Sequence, residues 1–226
     1  VDTKIIKSLK PLNGKSVNFL ITDPDEHQQK CWMNGNFYEA HGSGLLAHML
    51  RNKSLYLAKR CLDIGASIGN HTIFYSKILN CRVVAIEPVK SSFDHLKENC
   101  ELNNVRPNLI NIALGNKKGK VTMENVSKKT FNVGMYQVRK GKDVELNTLD
   151  NLKLGQFDFI KIDVEHYNVP LLEGSEETFK AQKDCDIYIE CETPEILTIT
   201  NEIMKSYGYY KTDLVVNHTP TYLWKK

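Results

Sequence analysis

From about residue 58 the chain alternates short apolar runs with segments whose apolar residues recur at helical spacing, the pattern of βαβ units built round a parallel sheet. Leu57 to Ile64 reads as the first strand, Asn70 to Leu79 as a helix with Ile73, Phe74 and Ile78 on one face, and Arg82 to Glu87 as the second strand. Ser91 and Asp94 form an S-x-x-D cap for a helix carrying Phe93, Leu96 and Cys100, and a third strand spans Asn108 to Leu114. Between 115 and 150 the period changes. The turn cluster Gly115-Asn116-Lys117-Lys118-Gly119 and the alternating Val121-Thr122-Met123 and Val144-Glu145-Leu146 predict an antiparallel β-hairpin insertion. Phe157 to Asp163 is a buried strand ending in acid, followed by a helix from Val169 with Pro170 in its first turn. Asp186 to Glu190 is the next strand. Thr193-Pro194 then caps a helix bearing Ile196, Leu197, Ile199, Ile203 and Met204, and Tyr209 to Val216 and Thr221 to Trp224 close the sheet. In the first 56 residues, Val17 to Ile21 predicts a strand and Gly44 to Arg51 a helix. The organisation expected is an N-terminal cap segment, 1–56, and a main domain, 57–226, with an insertion near 115–150.

Composition narrows the class. The 226 residues are 41% hydrophobic, enough to fill a layered sheet-and-helix core. Thirty basic against 27 acidic side chains, intermixed along the chain, leave a formal charge of +3, which argues against a nucleic-acid footprint. The six cysteines are widely spaced, with no C-x-x-C, and several fall in buried strands; they read as reduced core residues of a cytoplasmic protein. No apolar stretch reaches membrane-span length. The start, Val1-Asp2-Thr3-Lys4, has neither an initiator Met nor a signal-peptide pattern, as expected of a domain from a longer chain.

The chemistry concentrates in Cys61-Leu62-Asp63-Ile64-Gly65-Ala66-Ser67-Ile68-Gly69-Asn70, a strand ending in acid, a small-residue turn and a helix start. Backbone approaches a ligand closely only where side chains are absent, and a helix N-terminus offers unpaired N–H groups. A dinucleotide G-x-G-x-x-G does not fit this spacing, and Gly14-Lys15-Ser16 lacks the first glycine of a P-loop. Glu87, ending the second strand before Pro88, can accept from both hydroxyls of a ribose. Together these make a two-point grip on a nucleotide-like cofactor.

The order of "GNFYE" at 35 to 39, "LDIGASIGNHT" at 62 to 72, "VVAIEP" at 83 to 88, "NIALGN" at 111 to 116, "LNTLD" at 146 to 150 and "FDFIKIDVE" at 157 to 165 resembles the FkbM family of methyltransferases. The resemblance implies a three-layer, Rossmann-like α/β fold with a seven-stranded, mostly parallel sheet and an antiparallel last strand. It also implies S-adenosylmethionine as donor and O-methylation of saccharides, glycans or glycosylated small molecules. Carried over residue by residue, Asp63, Gly65, Ala66, Ser67, Gly69 and Asn70 line the methionine and ribose side, Glu87 and Pro88 meet the ribose, and Asn111 and Ala113 lie near the adenine. Glu39 faces the donor's ammonium, and Asp163 reaches the donor as well. The family continues its last motif as D-V-E-G-x-E, whereas this chain has Asp163-Val164-Glu165-His166-Tyr167-Asn168.

Asp163 and Glu190 end neighbouring strands, so both carboxylates emerge at the sheet edge where ligands of such sheets bind. Two readings stay open: they hold a divalent metal, Mg or Mn, or they hydrogen-bond donor and acceptor directly. His166, standing where the family has glycine, is a candidate general base, oriented by Asp163 or Glu165; its bland alternative is a space-filler or helix cap. Residues 120 to 145, with Lys128, Lys129, Arg139, Lys140 and Lys142, are expected as a lobe beside the acceptor. The altered segment after Asp163 motivates a rival, a non-catalytic binding module of the same fold. Nucleic-acid methylation is the other, against which the near-neutral charge and the missing N-P-P-Y motif both speak.

Overall fold

The computed structural model describes residues 5–52, 55, 57–127, 134–216 and 220–226. Its N-terminal segment pairs β1 (Ile5–Ser8) antiparallel with β2 (Asn18–Ile21), then adds helices α1 (His27–Met33) and α2 (Leu45–Arg51). The main chain path follows as β3 (Arg60–Ile64), α3 (Asn70–Ile73) continuing into a π-helical turn Phe74–Ile78, β4 (Arg82–Ile86), α4 (Lys90–Leu102) and β5 (Asn108–Ile110). The insertion supplies β6 (Ala113–Leu114), β7 (Gly119–Asn125), β8 (Tyr136–Lys140) and β9 (Val144–Asn147). After α5 (Leu149–Leu152) come β10 (Phe159–Ile162), α6 (Asn168–Glu173), α7 (Glu176–Ala181), β11 (Asp186–Glu190), α8 (Pro194–Ser206), β12 (Tyr210–Val216) and β13 (Thr221–Lys225).

Seven strands form one sheet in the order β12-β13-β11-β10-β3-β4-β5, parallel except for β13, which runs antiparallel to both its neighbours. Side chains of successive strand residues point to opposite faces, and the two cores separate accordingly. Cys61, Val83, Ala85, Phe159 and Tyr188 bury one face against α3, α4 and the N-terminal segment, while Leu62, Val84, Ile160, Ile187 and Ile189 bury the other against α5 to α8. The expected α/β, Rossmann-like sheet with a reversed last strand is therefore present, as three layers. The N-terminal segment is tied down by Trp32, which stacks on Phe19 at 3.9 Å and donates from Nε1 to Asn70 Oδ1 at 3.0 Å.

Three local expectations change. The helix expected from Ser91 starts at Lys90 with Val89 at its N-cap and no side-chain cap; Asp94 pairs with Lys90 across one turn instead. The third strand breaks after Ile110, because Asn111 Nδ2 turns to donate to Glu87 O (2.7 Å) and Pro88 O (3.1 Å) and leaves the ladder. Beyond the break, β6 pairs with β9, so the inserted hairpin β7–β8 is part of a four-stranded sheet ordered β6-β9-β7-β8. Thr193 caps α8 as expected, its hydroxyl accepting from Ile196 N. Lys128 and Lys129 of the expected lobe lie outside the described residues. The six cysteines are free thiols, and among the described residues no helix is long and apolar enough to cross a membrane.

Candidate functional site

At the C-terminal edge of the sheet a cavity opens to solvent. Its floor is the turn after β3. Gly65 has φ +77°, and a Cβ there would stand 1.8 Å from Asp163 O, so only glycine allows this turn to lie against the end of β10. The Gly65 and Ala66 amides both donate to Ile86 O, at 3.0 and 3.1 Å, and Ser67 N donates to Glu87 Oε2 at 2.8 Å. Gly69, at φ +100°, begins α3, and a Cβ there would meet Leu96 Cδ1 at 2.7 Å. Ser67 Oγ lines the cavity, buried and without a hydrogen-bond partner among the described residues. Glu87 lines it too, its Oε1 accepting from Val89 N at 2.7 Å. Burial pushes the Glu87 carboxyl up to about 7 against the lowering effect of those two amides.

The residues expected to hold the donor divide into two sets. Glu39, Gly65, Ala66, Ser67, Glu87, Pro88, Ala113 and Asp163 line the cavity, whereas Asp63, Gly69, Asn70 and Asn111 do not. Asp63 is fully buried beneath the turn, accepting from Thr72 Oγ1 at 2.6 Å. Asn70 serves the N-terminal segment, accepting from Tyr38 N and Trp32 Nε1, both at 3.0 Å. Glu39 holds φ +60°, and its Oε2 lies 3.1 Å from His71 Nε2, a buried pair on the cavity wall.

Across the cavity stand Asp163, Glu165 and Glu190. Burial, then the charges of Asp163 and Glu192, raise the Glu165 carboxyl to about 8; burial, then Asp163 and Glu165, raise Glu190 to about 10. The site thus carries carboxyls that hold protons near neutrality. His166, with φ +64°, turns outward: its side chain is 44% exposed and is not among the cavity-lining groups. Its amide donates to Glu192 Oε1 at 2.6 Å. The inserted segment contributes Met123, Gly134, Tyr136 and Val138 to the same cavity, and Tyr38 and Tyr167 line it as well. Trp32, Tyr209 and Trp224 are buried in the core.

One residue escaped the sequence reading. Lys161 lies opposite Asp63 in the β3–β10 ladder and is 3% exposed. Its Nζ donates to Gly65 O at 2.8 Å and stands 3.5 Å from Asp63 Oδ1 and 3.3 Å from Asp163 Oδ2. A lysine inside the apolar run Phe159-Ile160-Lys161-Ile162 was the signal, since a buried charge needs partners. Lys161 bears on the metal reading, since its ammonium stands 3.3 Å from Asp163 Oδ2. Asp163 and Glu190 belong to no group of three metal-ligating side chains among the described residues; the group whose ligand atoms lie within 4.8 Å of one another is Glu165, His166 and Glu192, partly exposed at the mouth. The arrangement does not support a Mg or Mn site on the Asp163–Glu190 pair.

The mostly parallel sheet with a reversed last strand, the glycine turn after β3 and the acid after β4 make a Rossmann-like α/β domain whose cavity lies at the carboxyl ends of its strands. Residues 63–210 match the methyltransferase FkbM domain, and the chain belongs to that family. Methyltransferase FkbM from Methylobacillus flagellatus aligns at TM-score 0.52 and 16% identity, over 75% of this chain and 44% of that one, so the chain spans less than half of that protein's length. TYW2 of M. jannaschii in complex with AdoMet aligns at 0.46 and 15% identity over 100% of this chain and 88% of that one. The ribosomal protein L11 methylase of Lactobacillus delbrueckii aligns at 0.46 and 12% over 80% and 75%. No curated protein matches the chain.

Proposed function

We propose that the chain is an S-adenosylmethionine-dependent O-methyltransferase acting on a hydroxyl of a saccharide, glycan or glycosylated small molecule. The observation that carries this reading is that one cavity joins the glycine turn and Glu87 to the acids ending β10 and β11, under the inserted sheet. The residues fit the donor: Ser67 Oγ is an orphaned polar atom on the wall, Glu87 keeps a spare lone pair on each oxygen, and Glu39 offers a carboxylate to an ammonium. Bound there, S-adenosylmethionine supplies an electrophilic methyl group, and the chain's task is positioning and proton removal.

A hydroxyl attacks well only as its proton leaves, and Glu165, raised to about 8, is a base of suitable strength. Glu190, raised to about 10, carries a proton and donates it in a hydrogen bond to an acceptor oxygen. His166 takes the proton onward to solvent, its ring nitrogen lying within 4.8 Å of carboxylate oxygens of Glu165 and Glu192. Tyr38, Tyr136 and Tyr167 offer ring faces to a sugar.

Calorimetry with S-adenosylhomocysteine, followed by a saccharide panel with methyl-labelled donor, tests the reading. Binding and transfer to a sugar hydroxyl are expected. No binding would leave the non-catalytic module, and transfer only to RNA or DNA would overturn the acceptor. Within the mechanism, Glu165→Gln should lose turnover by roughly a hundredfold with donor affinity kept, and His166→Gly by less than about tenfold.

A further inference from the structure

We propose that Lys161 is a positioning residue for the donor: its buried ammonium clamps the Gly65 turn to the ends of β3 and β10 and so sets the shape of the donor floor. The inference rests on the donor reading above. Three independent features of the chain converge on it. The ladder register places Lys161 directly opposite Asp63, so the pair is built into the sheet. The ammonium then reaches past the strand end to the Gly65 carbonyl at 2.8 Å and to Asp163 at 3.3 Å. Finally, Gly65 lies so close to Asp163 O that a Cβ would overlap it, and Asp163 N donates to Ile64 O at 3.1 Å, so turn and strand end touch where the ammonium joins them.

The charge arithmetic gives the lysine its importance. Asp63 is fully buried and Asp163 is 33% exposed at the side chain, and both face the same ammonium. Removing it leaves Asp63 without a counter-ion and the Gly65 carbonyl without its donor, while Asp163 can turn to water. A buried charge that has lost its partner is costly, whereas a neutral isostere in its place is not. The turn would then give way at the peptide that the donor rests on.

A mere packing role makes a different prediction. Methionine has nearly the length and volume of lysine, so Lys161→Met would be close to neutral if the residue only filled space. The test is a double-variant cycle in S-adenosylhomocysteine affinity, measured by calorimetry on the whole chain, with circular dichroism as the check of fold. Asp63→Asn is the partner change, because Asp63 is buried away from the cavity and does not itself meet the ligand. Lys161→Met is expected to weaken binding by roughly tenfold or more, and Lys161→Met/Asp63→Asn to recover most of that loss. Binding by Lys161→Met within about twofold of wild type, or no recovery in the double variant, overturns the proposal. If Lys161→Met does not fold, a folded double variant supports the clamp and an unfolded one overturns it. Failure of the unaltered chain to bind the ligand would instead overturn the donor reading.

Discussion

At the scale of single residues, burial separates side chains that the sequence places side by side. Asp63 and Glu87 look equivalent as acids at strand ends, yet Asp63 is sealed under the turn and Glu87 lines the cavity. Glu87→Gln puts an amide NH₂ against one of two backbone donors, Ser67 N or Val89 N, and should cost about 1–3 kcal/mol of stability together with roughly tenfold or more in S-adenosylhomocysteine affinity. Calorimetry and a denaturant melt check both, and unchanged affinity would remove Glu87 from the donor site. Glu190 makes a pH prediction. Its folded value of about 10 lies above the ordinary carboxyl value of 4.5, so folding takes up a proton there. The stability it contributes is full below about 4.5 and falls as pH rises toward 10. Glu190→Gln needs no proton, so its melting temperature should gain on the parent chain between pH 5 and pH 9. Parallel melting curves for the two across that range would contradict the raised value.

At the scale of elements, the inserted sheet decides what the cavity meets. The turn-rich composition of residues 115–150 marks an insertion, but not where it lies; the parallel pairing of β6 with β9 folds it back over the sheet edge. That places Met123, Tyr136 and Val138 on the cavity wall, across from the acids. On the proposed function, Tyr136→Ala should change which acceptor is methylated, or raise its KM by roughly tenfold, while donor affinity stays within about twofold. A kinetic comparison over several acceptors checks this, and equal loss for every acceptor would mean that Tyr136 supports the lobe and does not read the substrate. The helix beginning at Lys90 shows the same limit of local patterns. An S-x-x-D motif was legible, yet Glu87 had already taken the Val89 amide and Asp94 turned to Lys90.

At the scale of the whole molecule, the N-terminal segment and the sheet share one core. Phe19, Trp32 and Phe37 pack with Phe74 and Tyr75 behind the glycine turn, and Asn70 ties Trp32 and Tyr38 to the start of α3. Trp32→Ala should destabilise the entire chain by about 3–5 kcal/mol in one cooperative transition. Urea unfolding followed by fluorescence and circular dichroism tests it. A separate early transition confined to the N-terminal residues would show two independent units.

Much of this was legible in the chain itself. The succession and period of the strands along the chain, the glycine turn and the cap of α8 follow from local rules, since φ, side-chain alternation and capping depend on near neighbours. The small residues after Asp63 and the acid Glu87 marked this turn as a candidate site, and Gly65, Ala66, Ser67 and Glu87 do line the cavity. What only the tertiary structure decided is where each polar side chain ends. Lys161 meets Asp63 because two strands a hundred residues apart lie in register, His166 turns outward because Glu192 takes its amide, and Glu39 reaches the cavity beside His71. Those destinations depend on contacts between distant segments, which no local pattern of polar and apolar positions encodes.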